Sequence, residues 1–466
     1  MIKTVARTAL LMALLLLVPG AMAQDVEPVA EDEILPLTRF VVIGPQPLRE
    51  EALKRLAARG KTDVVAHLIV ALRYAGEEAE RPIAQALSAL TGTTISDWHD
   101  AMLWQEGHPD VQAHPSFLPF KVGLLFQIDQ NFLRFLGDDR VLPDRMDIRL
   151  EEITWGGVGV DGIPSLDNPT LLPAAEAGYL KDDDLVFGVA INGDVRAYPL
   201  RIMGWHEMFN EVIGGVPVAL AYCTLCGAAI LFETQIDGRE EPLVFGSSGL
   251  LYRSNKLMFD RQTDSLWNQF TGEPVAGPLR GSGIKLKIRP VVVTEWAAWK
   301  RRHPETKVLS LETGHLRDYR SGQVYKAYFA SPNLMFPARV GDESVVRRKG
   351  RVFGIRDTAA ARAWPMRAFL QRRVINDAVG ARAVVLIGDA TTRTVRAYER
   401  GERTFEAPED QEFLETIDGP GGAWRLTEEA LIGPDGTRLP RVPGHVAYWF
   451  AWDGYLGVRS SLYTPE

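Results

Sequence analysis

The chain has 466 residues, of which 46% are hydrophobic, 24% charged and 9% aromatic, a balance that excludes a disordered, collagenous or coiled-coil protein. Its 52 basic and 60 acidic side chains leave a formal charge of −8, which excludes a general binder of nucleic acid or anionic lipid. At roughly 150 residues per domain the length allows about three domains, each able to bury its own core.

Residues 1–23 read as a secretory signal peptide: Lys3 and Arg7 precede an apolar run over 9–18, and Ala21-Met22-Ala23 supplies a small-residue cleavage site. No Cys follows that site to carry a lipid, and no later apolar run reaches the ~18 residues a membrane helix needs. The expectation is a periplasmic or secreted protein without a transmembrane segment. A Pro-containing linker is expected over 24–47. Residues 48–148 are expected to form a helical region, because Leu53, Leu56, Val64, Val65, Leu68, Leu72, Ile83, Leu87 and Leu90 recur at three- and four-residue steps, punctuated by Gly60, Gly76 and Gly92. Short antiparallel helices of this kind are HEAT-like.

From residue 149 the texture turns to β, with apolar runs over 185–191, 196–200, 216–222 and 228–234 broken by Gly and Asp. Val186-Phe187-Gly188-Val189 returns 166 residues later as Val352-Phe353-Gly354-Ile355. At the same offset Arg196-Ala197-Tyr198-Pro199-Leu200 returns as Arg362-Ala363-Trp364-Pro365-Met366, and Asn210-Glu211 as Asn376-Asp377. The fold class expected is α+β: a helical region followed by two duplicated β-rich units, 149–310 and 311–466. The second is read as degenerate scaffold, because His206 and Glu207 fall opposite Arg372 and Arg373, Cys223 opposite Asp389 and Cys226 opposite Thr392.

Cys223 and Cys226, the chain's two cysteines, stand in Cys-Thr-Leu-Cys-Gly between two strand-like runs. Bridging so short a loop removes only about 2 kcal/mol of chain entropy, so chemistry explains the pair better than stapling does. A strand-turn-strand knuckle resembles the half-sites through which thiolates hold zinc or iron. Trp205-His206-Glu207-Met208-Phe209-Asn210 reads as one or two helical turns and offers His206 as a third ligand, leaving the open position of a catalytic metal site. The stretch lacks the second His of a zinc protease. Tyr252-Arg253-Ser254-Asn255 and Asp260-Arg261-Gln262-Thr263 concentrate polar groups between apolar strands, where they must bond one another or a ligand. Two motifs are set aside. Gly157-Val158-Gly159-Val160-Asp161-Gly162 is followed by Pro164 and Pro169 rather than by a helix that would hold pyrophosphate, and Gly246-Ser247-Ser248-Gly249 lacks the spacing of a nucleophile elbow.

Trp155-Gly156-Gly157, Asp161-Gly162-Ile163-Pro164, Arg196-Ala197-Tyr198-Pro199, Trp205-His206-Glu207, Asn210, Tyr222-Cys223-Thr224-Leu225-Cys226-Gly227, Tyr252-Arg253-Ser254-Asn255 and Asp260-Arg261 with Ser265-Leu266-Trp267 come in order at fitting spacings. Together they resemble a bacterial domain-of-unknown-function family, number 3179. The resemblance runs from about residue 149 to about 310, with the weaker second unit continuing it, and departs at Thr224, where the family often has Pro. It implies an exported protein and transfers no activity.

The leading expectation is an exported metalloprotein in which Cys223, Cys226 and His206 hold one transition metal, copper, zinc or iron, for redox or Lewis-acid chemistry. Glu207, Tyr252, Asp260 and Arg261 are the expected catalytic neighbours. Two alternatives stand beside it. One is a metal-free thiol-disulfide oxidoreductase using Cys223 and Cys226 with a small-molecule or redox-protein partner; the other is a non-enzymatic periplasmic binding module.

Overall fold

The structure, a computed structural model, describes residues 29–137, 143–357 and 359–464. The signal peptide expected over 1–23 lies outside these residues. Helices fill the N-terminal part and strands most of the rest, an α+β arrangement. Among the described residues no helix is long and apolar enough to cross a membrane.

The principal helices are Ile34–Ile43, Gln46–Ala58, Val65–Tyr74, Glu77–Thr91, Trp98–Gly107 and Phe117–Ile128. The first corrects the linker expected over 24–47. Ile34, Leu37 and Val41 form one buried helical face, and Pro36 sits in the first turn, where its missing N–H has no intrahelical partner to lose. The helices do not form a separate body: a single apolar core runs from Leu37, Leu68, Leu87 and Phe120 across to Leu250, Leu257 and Phe259 on the strands.

In residues 149–310 the strand Leu185–Ile191 pairs antiparallel with Asp194–Pro199 and with Val292–Glu295, and Lys307–Leu309 runs parallel to Asp194–Pro199. A second sheet carries the antiparallel series Met208–Ile213, Val216–Cys223 and Ala228–Glu233. Residues 311–466 contain the same pairings. Arg351–Arg356 lies between Ala361–Pro365 and His445–Tyr448, with Ser460–Leu462 parallel to Ala361–Pro365. Val374–Val379, Arg382–Asp389 and Thr394–Glu399 follow as an antiparallel series. Side chains recur with the strands. Gly188 lies under the Trp299 indole and Gly354 under Trp452, where a Cβ would run into the ring. Asn210 bonds both backbone polar groups of Phe245 (2.9 Å each), and Asn376 does the same to Phe405 (2.7 and 3.0 Å).

The helical turns expected over 205–210 are corrected. The helix Leu200–His206 ends at Glu207, whose φ of +55° is left-handed and whose N–H bonds the Met203 carbonyl; Met208–Ile213 is a strand. The two halves then interlock. The strand His445–Tyr448 packs on Ala228–Glu233, and the Tyr448 N–H donates to the Cys226 carbonyl at 2.7 Å. In return Val292–Glu295 packs on Thr394–Glu399, with the Thr294 and Thr394 hydroxyls 2.6 Å apart.

Candidate functional site

The cysteines occupy the tip of the hairpin Val216–Cys223 to Ala228–Glu233, whose last paired residues are Cys223 and Ala228. Backbone bonds from Cys226 N–H to the Cys223 carbonyl (3.1 Å) and from Gly227 N–H to the Thr224 carbonyl (3.3 Å) wind the turn tightly. Gly227 adopts φ +58°, and a Cβ there would stand 3.2 Å from the Tyr448 ring, so both conformation and space call for glycine. This winding brings the two sulfurs to 2.7 Å, inside ordinary non-bonded contact, with both cysteines free and buried.

A second hairpin closes over them. Arg253 and Ser254, at φ +48° and +61°, form the two-residue turn between Phe245–Tyr252 and Asn255–Asp260, in the backbone that the right-handed twist of paired strands favours. The turn aims the Ser254 carbonyl and Asn255 Oδ1 at Cys226 Sγ, at 3.4 and 3.3 Å. The buried carboxylate of Glu207 pairs with the buried Lys256 at 3.1 Å. Burial, the Cys223 sulfur and the charge of Glu207 hold the Cys226 thiol well above its ordinary range. The remaining cover comes from the second half of the chain. Tyr328 O–H donates to the Leu225 carbonyl at 2.6 Å, Lys349 Nζ stands 3.7 Å from the Tyr328 ring centre, and the Tyr448 ring lies against Gly227.

The family described as protein of unknown function (DUF3179) matches residues 160–458, nearly the whole β-rich portion. The chain is a DUF3179 protein. No curated protein and no solved structure matches it. Because the match spans both halves, the DUF3179 region includes the thiols together with the tyrosines that cover them.

Several residues singled out in the DUF3179 sequence lie away from the thiols. Asp260 is buried five positions along its strand from Asn255, roughly 17 Å of extended chain. Its carboxylate accepts from Thr263 N–H (2.7 Å), Thr263 O–H (2.8 Å) and Trp267 Nε1–H (2.9 Å), which makes it the cap of the following turn. Arg261 forks onto Asp161 at 2.8 and 3.1 Å near the surface. Tyr252 is buried against Tyr455, whose hydroxyl donates to the Tyr252 carbonyl. His206 is buried as well. Its Nδ1–H donates to the Pro164 carbonyl (2.9 Å), so Nε2 is the acceptor for the Tyr319 hydroxyl (2.6 Å), which also meets Thr313 (2.6 Å). Of the expected neighbours, Glu207 alone stands beside the thiols. Asn255, Lys256, Tyr328 and Tyr448 stand there too, and Tyr325 and Tyr455 lie close enough for the cysteines to add to burial in pushing their hydroxyls up. Asn255 belongs to a quoted motif and Lys256 adjoins it, whereas Tyr328 and Tyr448 lie more than a hundred residues from the cysteines in the chain and carry no local signal.

Two thiolates sharing a tetrahedral metal at about 2.3 Å each would stand ~3.8 Å apart, well beyond the 2.7 Å between these sulfurs. The third ligand, His206, has both ring nitrogens engaged elsewhere, and among the described residues no three His, Cys, Asp or Glu side chains are grouped to hold a metal. As arranged, Cys223, Cys226 and His206 do not fit one metal centre.

Proposed function

We propose that this DUF3179 protein is an exported thiol-disulfide oxidoreductase whose centre is Cys223 and Cys226, cycling between dithiol and disulfide against a small thiol. The observation that carries the reading is the contact of the two sulfurs at 2.7 Å within a rigid strand-turn-strand knuckle. In the reductive direction one thiolate of the small partner attacks Cys223 Sγ. The Cys223–Cys226 bond breaks, Cys226 leaves and takes up a proton, and Asn255 Oδ1 accepts a hydrogen bond from the new thiol. A second partner thiolate attacks the partner sulfur of the mixed disulfide, releasing Cys223 as the second thiol and the partner as its own disulfide. Two electrons and two protons pass in all. The burial of both cysteines favours a small partner over a folded protein.

The test is thiol titration, intact mass and metal content measured together on protein exported with its own N-terminal segment and purified without chelator. The expected result is thiols that appear only after reduction, a mass lower by two hydrogens before it, and no stoichiometric metal. One copper, zinc or iron per chain with thiols masked until denaturation would overturn the reading in favour of a thiolate metal centre.

The same reading extends to the architecture. We infer that 149–310 and 311–466 arose by duplication, supported by the shared pairing order, the Gly188/Trp299 and Gly354/Trp452 contacts and the parallel roles of Asn210 and Asn376. The adjacent antiparallel pair Ile34–Ile43 and Gln46–Ala58 beside Val65–Tyr74 and Glu77–Thr91 supports a HEAT-like reading of the helical region.

A further inference from the structure

On the proposed duplication, the second unit carries a recess at the position equivalent to the thiol turn. Counting 166 residues on from the cysteine turn reaches the turn Asp389 to Thr394, with Asp389 and Thr392 at the positions of Cys223 and Cys226 and Arg373 at that of Glu207. There a cavity of about 30 Å³ is lined by Arg302, Arg373, Arg396, Thr294, Thr392 and Thr394, with Asp389 beside them. One ordered water needs ~10–15 Å³, so the space accepts one compact group. As at the thiol turn, the other half of the molecule supplies the cover, here through Thr294 and Arg302.

The charges in this recess are not balanced. Arg302 sends its terminal N–H groups to the Leu426 and Leu414 carbonyls (3.4 and 2.6 Å), and its buried Nε has no hydrogen-bond partner among the described residues. Arg373, nearer the surface, bonds the carbonyls of Gln411 and Glu412, and no carboxylate among the described residues is paired with it. Arg396 shares Glu428 with Arg441 at 2.6 and 2.8 Å, so that group of three retains a positive charge. Asp389 is held by the N–H groups of Thr391 and Thr392 (2.9 and 3.4 Å). The partly buried Arg302 guanidinium has two neutral carbonyls and the Phe413 ring (4.9 Å) for neighbours and no carboxylate among the described residues in direct contact, and burial with the nearby Arg396 holds it down to about 10. Three hydroxyls add donors: Thr294 and Thr392 each meet Thr394, at 2.6 and 2.9 Å.

We infer that the second unit is not mere scaffold but binds a small oxyanion, a carboxylate or a phosphate, between Arg302, Arg373 and the hydroxyls of Thr294, Thr392 and Thr394. The test is calorimetric titration of the full exported chain with formate and with inorganic phosphate, at constant ionic strength set with chloride. Saturable binding of one anion per chain is expected, and whichever of the two binds more tightly assigns the ligand class. Replacing Arg302→Gln or Arg373→Gln should weaken it by roughly tenfold or more, as the loss of a charge-assisted donor implies. Thr294→Val tests the site should Arg302→Gln fail to fold. Cys223→Ser should leave binding unchanged, so failure here and failure of the thiol reading are separate results. No saturable binding of either anion, or binding that survives both arginine replacements, would overturn the inference.

Discussion

At the residue scale, His206 shows how burial changes what a candidate ligand does. Its ring is sealed between a carbonyl and the Tyr319 hydroxyl, and burial, aided by His315 and Arg317, lowers its pKa to about 4. The folded chain therefore holds a neutral imidazole where the unfolded chain takes up a proton below about 6.5. Between those values the unfolded state binds more protons, so the contribution is full above pH 6.5 and is lost as pH falls toward 4, by at most about 3 kcal/mol. Urea midpoints at pH 7 and 4.5 check this: His206→Gln should lose less stability on acidification than the parent. An equal loss in both proteins would mean that His206 titrates normally. In the sequence this histidine reads as a free ligand because its partners Pro164 and Tyr319 lie 42 and 113 residues away, beyond any local pattern.

At the element scale, the thiol turn is fixed by its own backbone bonds and by elements from the far half of the chain. Tyr328 bonds the Leu225 carbonyl inside the turn, so removing that hydroxyl should loosen the cover without disturbing the sulfurs themselves. Tyr328→Phe is expected to cost about 1 kcal/mol of stability and, after reduction, to raise the rate of alkylation of the native thiols several-fold. Unchanged alkylation would show that access does not run through this contact. What the sequence discloses divides along the same line. The strands around the cysteines are legible because apolar alternation and Gly227 are local signals, and so is the knuckle between them. The helix Ile34–Ile43 is hidden in the sequence by Pro36 and Pro45, which signal a linker locally, although Pro36 falls in a first turn and Pro45 precedes the next helix. Asp260 and Arg261 sit beside a motif that forms part of the thiol cover, yet the strand Asn255–Asp260, irregular in register between Lys256 and Met258, leads roughly 17 Å of extended chain away from it, a separation that motif spacing alone does not convey.

At the scale of the whole molecule, the helical region, the first unit and the second unit meet at one buried carboxyl. Glu106, near the end of Trp98–Gly107, accepts from the Arg339 N–H at 2.8 Å. Nearby Glu152 pairs with Arg149 and with Arg253 of the turn that covers the cysteines. Burial raises the Glu106 pKa from 4.5 to about 7, with the charge of Glu152 adding to it. Its linkage runs opposite to that of His206. Between pH 4.5 and 7 the folded state binds more protons than the unfolded one, so stability falls as pH rises through this window, by at most about 3 kcal/mol. Glu106→Gln keeps an acceptor for Arg339 and removes the charge. It should match the parent in urea midpoint at pH 5 and exceed it at pH 8, with one cooperative transition in both proteins because the helices share a core with the strands. A variant no more stable than the parent at pH 8 would place the Glu106 charge in water rather than at this junction, and a split transition would separate the helical region from the thiol-bearing unit it packs against.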